Sequence, residues 1–331
     1  MYNELKVVFF LIGTVKYLLQ TPIFMKIYVE GDVAYLPFSK KIEKMGFGVK
    51  RGGKIILHPI EVLYLILNRG YEVHGKNTTD VFKWCLEKIE NFMPFYCVYE
   101  DLRKRGYYVN ILEDVLVGKH VYYPVEEVRN VNVCDIVKFE NLVLAVVDEE
   151  CEITYYKVEE IYPRGKHKEE EFKVRGILLG NSVFTEGFLH ERYFYGSLKG
   201  NMTILSILES AYLMEKGMLE VYEGEKRVSL DKIMNIGRSK DPKFDRRFEV
   251  YKDLKEKGFV VKTGLKFGSD FRLYEYISEE LPHSKYLVNI FDRPIPAFEI
   301  VRAVRLAQSV RKTLLFACKG NKYIAVERVK V

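Results

Sequence analysis

Three side chains toward the end of the chain could together cleave RNA without a metal ion. Tyr274, His283 and Lys312 lie 9 and then 29 residues apart. Attack by the 2′-hydroxyl of RNA needs a base for the hydroxyl proton, an acid for the departing 5′-oxygen and a cation for the crowded phosphorane. Tyrosine, histidine and lysine can fill these roles. A tyrosine phenol ordinarily has a pKa of about 10, so either neighbouring cations favour its anion, as the charges of Lys312 and Arg305 could, or the proton moves late in the reaction.

Each residue type is commonplace by itself, and a single tyrosine, lysine or histidine is most often structural or solvent-exposed. The phrases around the three are more specific: DLKEKGFVVKTGLKFGSDFRLY at 253–274, LPHSKYLVNI at 281–290 and AVRLAQSVRKTLLFA at 303–317. This pattern resembles the archaeal tRNA-splicing endonucleases of the two-repeat homodimeric type. The resemblance covers the C-terminal third of the chain closely.

The resemblance implies an activity and a role for each residue. Tyr274 would be the base, His283 the acid and Lys312 the electrostatic stabiliser. The enzyme would act without a metal or another cofactor, as an endoribonuclease (a tRNA-intron lyase). It would cut precursor tRNA at bulge-helix-bulge intron junctions and leave 2′,3′-cyclic phosphate and 5′-hydroxyl ends.

The charge is distributed unevenly along the 331 residues, whose formal net charge is +6. Residues 1–165 hold 21 Lys and Arg against 23 Asp and Glu, whereas residues 166–331 hold 31 against 23. The basic half therefore contains the candidate site, as expected for a polyanionic partner such as RNA. With 48% hydrophobic residues the chain is predicted to be globular and multi-domain.

The chain is predicted to be a tandem duplication. VYEDLRKRGYYV at 98–109 and VYKDLKEKGFVV at 250–261 agree at 6 of 12 positions. Two further pairs follow in the same order, 64–73 with 212–221 and 25–36 with 172–184. Short strands rich in Val, Ile and Tyr alternate with helices, which predicts an α/β (mixed α+β) fold with a small N-terminal subdomain and a C-terminal mixed-sheet subdomain in each repeat.

The charged stretch near residue 165 marks the boundary between the repeats. Residues 1–24 are a possible N-terminal extension, 25–165 the first, non-catalytic repeat and 166–331 the catalytic one, divided into 172–243 and 244–331. The early apolar run is interrupted by a lysine and is too short to span a bilayer. The five cysteines are scattered without a C-x-x-C pair, which favours a reducing, cytoplasmic location and no zinc site.

The first repeat lacks the candidate chemistry. Its segment LVLA at 142–145 aligns with LLFA at 314–317 and places Glu140 opposite Lys312. The segment YYPVEEV offers no histidine opposite His283, and Tyr122 is a loose match to Tyr274. This copy is therefore expected to be inactive, and one active copy per chain predicts a homodimer that presents two sites.

Two further features are predicted to serve the RNA and the assembly. Arg305 lies seven residues before Lys312, about two helical turns, and Arg328 follows in the last strand; Arg302 and Arg311 are weaker alternatives. The resemblance implies that such arginines sandwich a bulge base. The first repeat has an acidic hairpin tip, and the corresponding tip of the second repeat, CKGNKY, is basic. The resemblance implies that the acidic tip enters a basic pocket of the partner; its residues are Asp148, Glu149 and Glu150.

Two alternative functions are weighed against this interpretation. A metal-dependent nuclease would carry an aspartate followed by Glu-x-Lys, but Asp270 is followed by Phe-Arg-Leu-Tyr. A non-catalytic RNA-binding or scaffold subunit would show no cleavage under any condition. Activity in the presence of a chelator distinguishes a metal-independent nuclease from a metal-dependent one. Absence of activity with and without the chelator favours the scaffold subunit.

Overall fold

The computed structural model describes residues 26–277 and 283–331, so the possible extension at 1–24 lies outside the described residues. Helices and mixed sheets alternate, which confirms the α/β (mixed α+β) prediction. The chain forms two compact units, one of residues 26–127 with 143–154 and one of residues 128–142 with 155–331. No helix in these described ranges is long and apolar enough to cross a membrane.

The first unit opens with a five-stranded sheet of order β3-β4-β2-β1-β5. One longer helix, Pro59–Arg69, precedes the last strand of this sheet, two helices follow that strand, and the strands in the order β10-β8-β7-β6 come after them. Its elements, numbered in chain order, are β1 Lys26–Glu30, β2 Val33–Pro37, α1 Lys40–Lys44, β3 Val49–Arg51, β4 Lys54–Leu57, α2 Pro59–Arg69, β5 Glu72–Val73, α3 Thr78–Lys88, α4 Phe92–Lys104, β6 Asn110–Leu112, β7 Val115–Val117, β8 Val121–Glu126 and β10 Leu142–Val147.

The second unit repeats this plan with a six-stranded sheet of order β14-β15-β13-β12-β16-β17. Its elements are β9 Asn130–Val131, α5 Val133–Ile136, β11 Ile153–Ile161, β12 Val174–Leu179, β13 Ser182–Glu186, α6 Phe188–Tyr193, β14 Ser197–Lys199, β15 Met202–Leu205, α7 Ile207–Glu215, β16 Leu219–Glu223, β17 Lys226–Arg227, α8 Leu230–Lys240, α9 Phe244–Glu256, β18 Val260–Thr263, β19 Phe271–Tyr274, β20 Tyr286–Ile290, β21 Ile295–Pro296, α10 Ala297–Ser309, β22 Thr313–Cys318 and β23 Lys322–Val329.

Each unit contains a buried glutamate whose carboxylate accepts a hydrogen bond from the backbone N–H of a glycine. Glu61, in the first turn of α2, accepts a hydrogen bond of 2.8 Å from the N–H of Gly48, and Glu209 of α7 accepts one of 2.9 Å from Gly196. Each glutamate also completes a capping box at the start of its helix. Both glycines have positive φ, and a Cβ on either would lie 2.3 Å from a strand carbonyl oxygen. The same local arrangement therefore occurs once in each unit.

The second unit also contains the sheet that carries the candidate chemistry, with the order β18-β19-β20-β22-β23-β11. Its strands are antiparallel except for β20 and β22, which are parallel and connected through α10. Leu273, Val288 and Leu315 share a buried cluster with residues of α9 such as Leu254. Because side chains alternate along a strand, Tyr274 points to the opposite face of the sheet.

The charged stretch near residue 165 is attached to the second unit by hydrogen bonds. The N–H of Gly165 donates to Lys257 at 2.9 Å, that of His167 to Gly258 at 3.0 Å and that of Lys166 to Glu275 at 2.6 Å, in each case to the carbonyl oxygen. A Cβ at position 165 would lie 1.9 Å from a backbone oxygen, so glycine is needed for this close approach. Residues 128–142 and 155–165 also belong to the second compact unit, so the units do not follow the repeat boundary.

Four of the five cysteines form disulfides, Cys97 with Cys151 and Cys134 with Cys318, whereas Cys85 is free and buried. The paired Cα atoms are 6.0 and 6.1 Å apart, which suits a disulfide. The expectation that scattered cysteines are reduced is therefore wrong for these four. The partners are 54 and 184 residues apart in sequence, so the fold brings them together and no spacing pattern could reveal them.

Candidate active site

The topology of the sheet brings the three candidate residues to one edge. Tyr274 ends β19, His283 lies shortly before the start of β20, and Lys312 immediately precedes β22. β19 and β20 are antiparallel, so the end of one lies beside the start of the other; β20 and β22 are parallel, so both start at the same edge. Leu273 pairs with Tyr286, and Tyr286 pairs with Thr313, so these ends of the three strands lie side by side.

Lys312 is tied to the segment that carries the histidine. Its Nζ donates a hydrogen bond of 2.8 Å to the carbonyl oxygen of Ser284, the residue after His283. Its backbone N–H donates to the carbonyl of Ala307 at 2.9 Å, which fixes the turn between α10 and β22. Partial burial, and then the positive charge of Arg272, lower the pKa of Lys312 from its usual value. His283 is exposed and Tyr274 is 6% exposed.

A cation that the sequence reasoning missed lies beside the candidate base. The guanidinium carbon of Arg272 is 5.7 Å from the centre of the Tyr274 ring and 6.0 Å from that of Phe267. Lys312 Nζ lies 5.8 Å from the same Phe267 ring. Arg272 stands in the quoted phrase FRLY, and the two-residue period of a strand could have placed it on the face of Tyr274. Arg305, which was expected to influence the tyrosine, is instead exposed on α10.

The carboxylate that could have favoured a metal-dependent nuclease has a structural role. Asp270 accepts a hydrogen bond of 2.8 Å from the N–H of Ile290 and lies 3.7 Å from Nε of Arg247. In the part of the chain that the structure describes, no group of three or more His, Cys, Asp and Glu side chains is placed to hold a metal. A cleft of about 790 Å³ lies elsewhere in this unit, against α9 and residues 167–173, and its lining contains none of the three candidate residues.

The two predicted RNA-binding arginines are exposed on different elements. Helix α10 ends at Ser309, so Lys312 is not on the helix and the argument that Arg305 shares a helical face with it is wrong. Arg328 lies on β23, which pairs with β22 so that Leu314 is opposite Val326. Continuing this antiparallel register by two residues brings Arg328 level with Lys312. The register of β22 and β23 therefore brings Arg328 close to the candidate site along the sheet, whereas helix periodicity does not do so for Arg305.

The first unit differs from the prediction in two details, the match of Tyr122 and the absence of a histidine. Tyr122 lies on β8, which by sheet order corresponds to β20, so it does not match Tyr274 on β19. His120 immediately precedes β8, much as His283 precedes β20, so this unit does carry a histidine in the corresponding connection. The strand corresponding to β19 is β7, Val-Leu-Val, which has no tyrosine. Glu140 precedes β10 and is exposed.

The acidic tip is a tight turn closed by one of its own carboxylates. Asp148 Oδ1 accepts hydrogen bonds of 2.9 Å from the N–H groups of Glu150 and Glu152. Asp148 is therefore partly occupied in shaping the turn, while Glu149 and Glu150 are exposed. The basic tip of the second unit is exposed throughout, from Lys319 to Lys322.

Comparison with known proteins defines the class. The N-terminal domain of tRNA intron endonucleases matches residues 174–234, and their catalytic C-terminal domain matches residues 244–324. The class is thus the tRNA intron endonucleases, and the matched catalytic domain contains Tyr274, His283 and Lys312.

Relatives specify the family. A tRNA-splicing endonuclease of Methanosarcina barkeri is 32% identical across 93% of this chain and 100% of its own length. One from Haloarcula marismortui is 33% identical across 92% of this chain and 99% of its own. A shorter one from Thermococcus kodakarensis is 42% identical, with 46% of this chain and 96% of its own length covered. The chain belongs to the archaeal tRNA-splicing endonuclease family.

Proposed function

We propose that this protein is a tRNA-splicing endonuclease that cuts precursor tRNA at bulge-helix-bulge intron junctions, independently of metal ions, in the cytoplasm. The relatives that match over nearly their whole length are tRNA-splicing endonucleases, which supports the activity and substrate. The observation that carries the chemistry is the convergence of Tyr274, His283 and Lys312 at one sheet edge, with Lys312 bonded to the backbone beside the histidine.

The proposed reaction is an internal transesterification. Tyr274 accepts the proton of the 2′-hydroxyl, and the 2′-oxygen forms a bond to the adjacent phosphorus. The bond from phosphorus to the 5′-oxygen breaks, and His283 donates a proton to that oxygen. Lys312 stabilises the extra negative charge of the phosphorane. The products are a 2′,3′-cyclic phosphate and a 5′-hydroxyl, with no net uptake of water.

Cleavage of a bulge-helix-bulge RNA, followed by end-group analysis with and without EDTA, tests this proposal. We expect equal cleavage in both conditions, with cyclic phosphate and 5′-hydroxyl ends. Products with 5′-phosphates, or complete loss of cleavage in EDTA, would refute the metal-independent mechanism. RNA binding without cleavage in either condition would instead favour the scaffold function.

We also propose that the protein acts as a homodimer in which the acidic tip of one chain binds the basic tip region of the other. One candidate site per chain and two cuts per bulge-helix-bulge support pairing. The exposed carboxylates of Glu149 and Glu150 complement the exposed ammonium groups of Lys319 and Lys322. Asp148 is expected to contribute mainly by holding the turn.

The double variant Glu149→Gln with Glu150→Gln tests the acidic tip while leaving Asp148 in place. We expect its dimer dissociation constant to rise about tenfold at low salt, with a weaker salt dependence, and cleavage at low protein concentration to fall in parallel. The control is Glu113→Gln with Asp114→Asn, which neutralises another exposed acidic turn of the same unit. An unchanged dimer with full activity, measured by light scattering and cleavage, would remove the tip from the assembly.

A further inference from the structure

Among the residues that the structure describes, Arg272 differs from the other partly buried arginines of the second unit in having no acidic partner. Arg246 Nη1 lies 2.8 Å from Glu249, and Arg247 Nη1 lies 3.2 Å from Asp241. Arg272 forms no ion pair or hydrogen bond with any residue in 26–277 or 283–331, and its Nε is buried. Arg272 is partly buried, and a buried guanidinium nitrogen without a hydrogen-bond partner is unfavourable, so an anion that arrives with a ligand would compensate it.

Arg272 also shares its surroundings with a second cation. Arg272 and Lys312 both lie about the Phe267 ring, at 6.0 and 5.8 Å. Lys262, which pairs across the strands with Arg272, is differently placed, because its Nζ donates to two carbonyl oxygens at 2.7 Å and lies 3.7 Å from Glu209. Among the described residues, Lys312 Nζ has a single hydrogen-bond partner, the carbonyl oxygen of Ser284. Two like charges therefore meet at the Phe267 ring, one of them beside Tyr274, and no carboxylate of the described residues pairs with either.

We propose that Arg272 is a fourth residue of the site and binds a non-bridging oxygen of the phosphate at which the RNA is cut. A guanidinium is suited to phosphate oxygens because its planar donors form charge-assisted hydrogen bonds. Because Arg272 lies beside the ring of Tyr274, the proposed base, the phosphate that it contacts would be the one that reacts. Lys312 could then contact another oxygen of the same phosphate. The inference rests on the proposed function, whose residues define which phosphate this is.

The test is Arg272→Met in the full-length protein, since methionine can pack between the Phe267 and Tyr274 rings without a charge. Single-turnover cleavage of the all-oxygen RNA should slow about 10- to 100-fold, as expected for one lost charge-assisted hydrogen bond. Substrates with sulfur at either non-bridging position of the cut phosphate give the decisive comparison. The ratio of parent to Arg272→Met cleavage rate should be far smaller for one diastereomer than for the all-oxygen RNA, because sulfur already weakens that contact. Comparing this ratio between substrates cancels the fraction of protein that is folded.

A binding measurement adds a readout that does not need catalysis. A 2′-deoxy substitution at the cut site removes the attacking hydroxyl, so the RNA binds without being cut. The number of phosphate contacts inferred from the salt dependence of binding should fall by about one for Arg272→Met. Arg272→Lys should retain most of it, and Arg175→Met, at an exposed arginine on β12, should match the parent. Equal slowing of both diastereomers and the all-oxygen RNA, with an unchanged salt slope, would overturn the inference while the parent still cuts. Absence of cleavage by the parent would overturn the proposed function itself.

Discussion

Replacing Glu169 by glutamine should destabilise the second unit, because this carboxylate neutralises a buried lysine. Lys255 Nζ lies 2.7 Å from Glu169 Oε1, and the lysine side chain is only 3% exposed. Tyr212 donates a hydrogen bond of 2.7 Å to the other carboxylate oxygen, and Tyr195 also donates to Glu169. Glu169 belongs to the stretch that connects the repeats, so the substitution also tests how firmly this stretch is held.

The size of the effect follows from the loss of one partner of a buried ion pair. Such a loss costs about 3–5 kcal/mol, and glutamine retains some hydrogen bonding, so the lower end, about 3 kcal/mol, is expected. In a unit of this size each kcal/mol lowers Tm by about 2–4 °C, so Tm should fall by about 6–12 °C. The double variant with Lys255→Met should recover part of the loss, because no uncompensated charge remains buried.

The effect should also depend on pH. Burial alone would raise the pKa of Glu169, but the charge of Lys255 and the hydrogen bonds from Lys255, Tyr195 and Tyr212 hold it below its usual value. A carboxyl with a lowered pKa stabilises the fold above its unfolded pKa of about 4.3 and loses that contribution as pH falls through the folded pKa. The difference in Tm between parent and Glu169→Gln should therefore be full at pH 7 and shrink in acid.

Thermal unfolding followed by circular dichroism at pH 7 and in acid measures both effects. Glu170→Gln is the control, because its partner Arg192 and Glu170 itself are well exposed, at 66% and 59%, and such pairs contribute little. A parent-like Tm for Glu169→Gln at pH 7 would refute the argument. A Tm difference that grows in acid would show that the carboxylate is not stabilised as its surroundings indicate.

The remaining predictions concern the candidate site. His283→Ala and Lys312→Ala should each slow single-turnover cleavage at least about a hundredfold with little change in RNA affinity, whereas equal losses in rate and affinity would mark them as binding residues. Arg305→Ala and Arg328→Ala should weaken binding of bulge-containing RNA and reduce its salt dependence. Arg175→Ala, at an exposed arginine on β12, is the control, and parent-like processing by both test variants would exclude a stacking role.

Sequence patterns predicted the elements of the sheet well but not their relations. The predicted alternation of short strands and helices is present, as in Val260–Thr263, Phe271–Tyr274, Tyr286–Ile290 and Ala297–Ser309, because apolar periodicity and turn residues are local signals. The position of Arg328 relative to Lys312 depends on strand register, which the sequence pattern does not predict. The helical argument for Arg305 failed for a similar reason, because α10 ends before Lys312.

Long-range pairing was also beyond the sequence. The cysteines of each disulfide are separated by 54 or more residues, and only the fold decides which of them meet. Arg272 was visible in the phrase FRLY, but an arginine in a strand ordinarily suggests an exposed edge. Its importance depends on the missing acidic partner among the described residues, which only the packing around it can show.

Each hairpin tip assigned to the proposed dimer is adjacent to a disulfide. Cys151 directly follows Glu150 and is linked to Cys97, and Cys318 directly precedes Lys319 and is linked to Cys134. A tip that is already cross-linked to its unit has less conformational entropy to lose when a partner binds. Since that entropic cost increases in proportion to absolute temperature, reduction of the disulfides should weaken association more in hot solution than in cold.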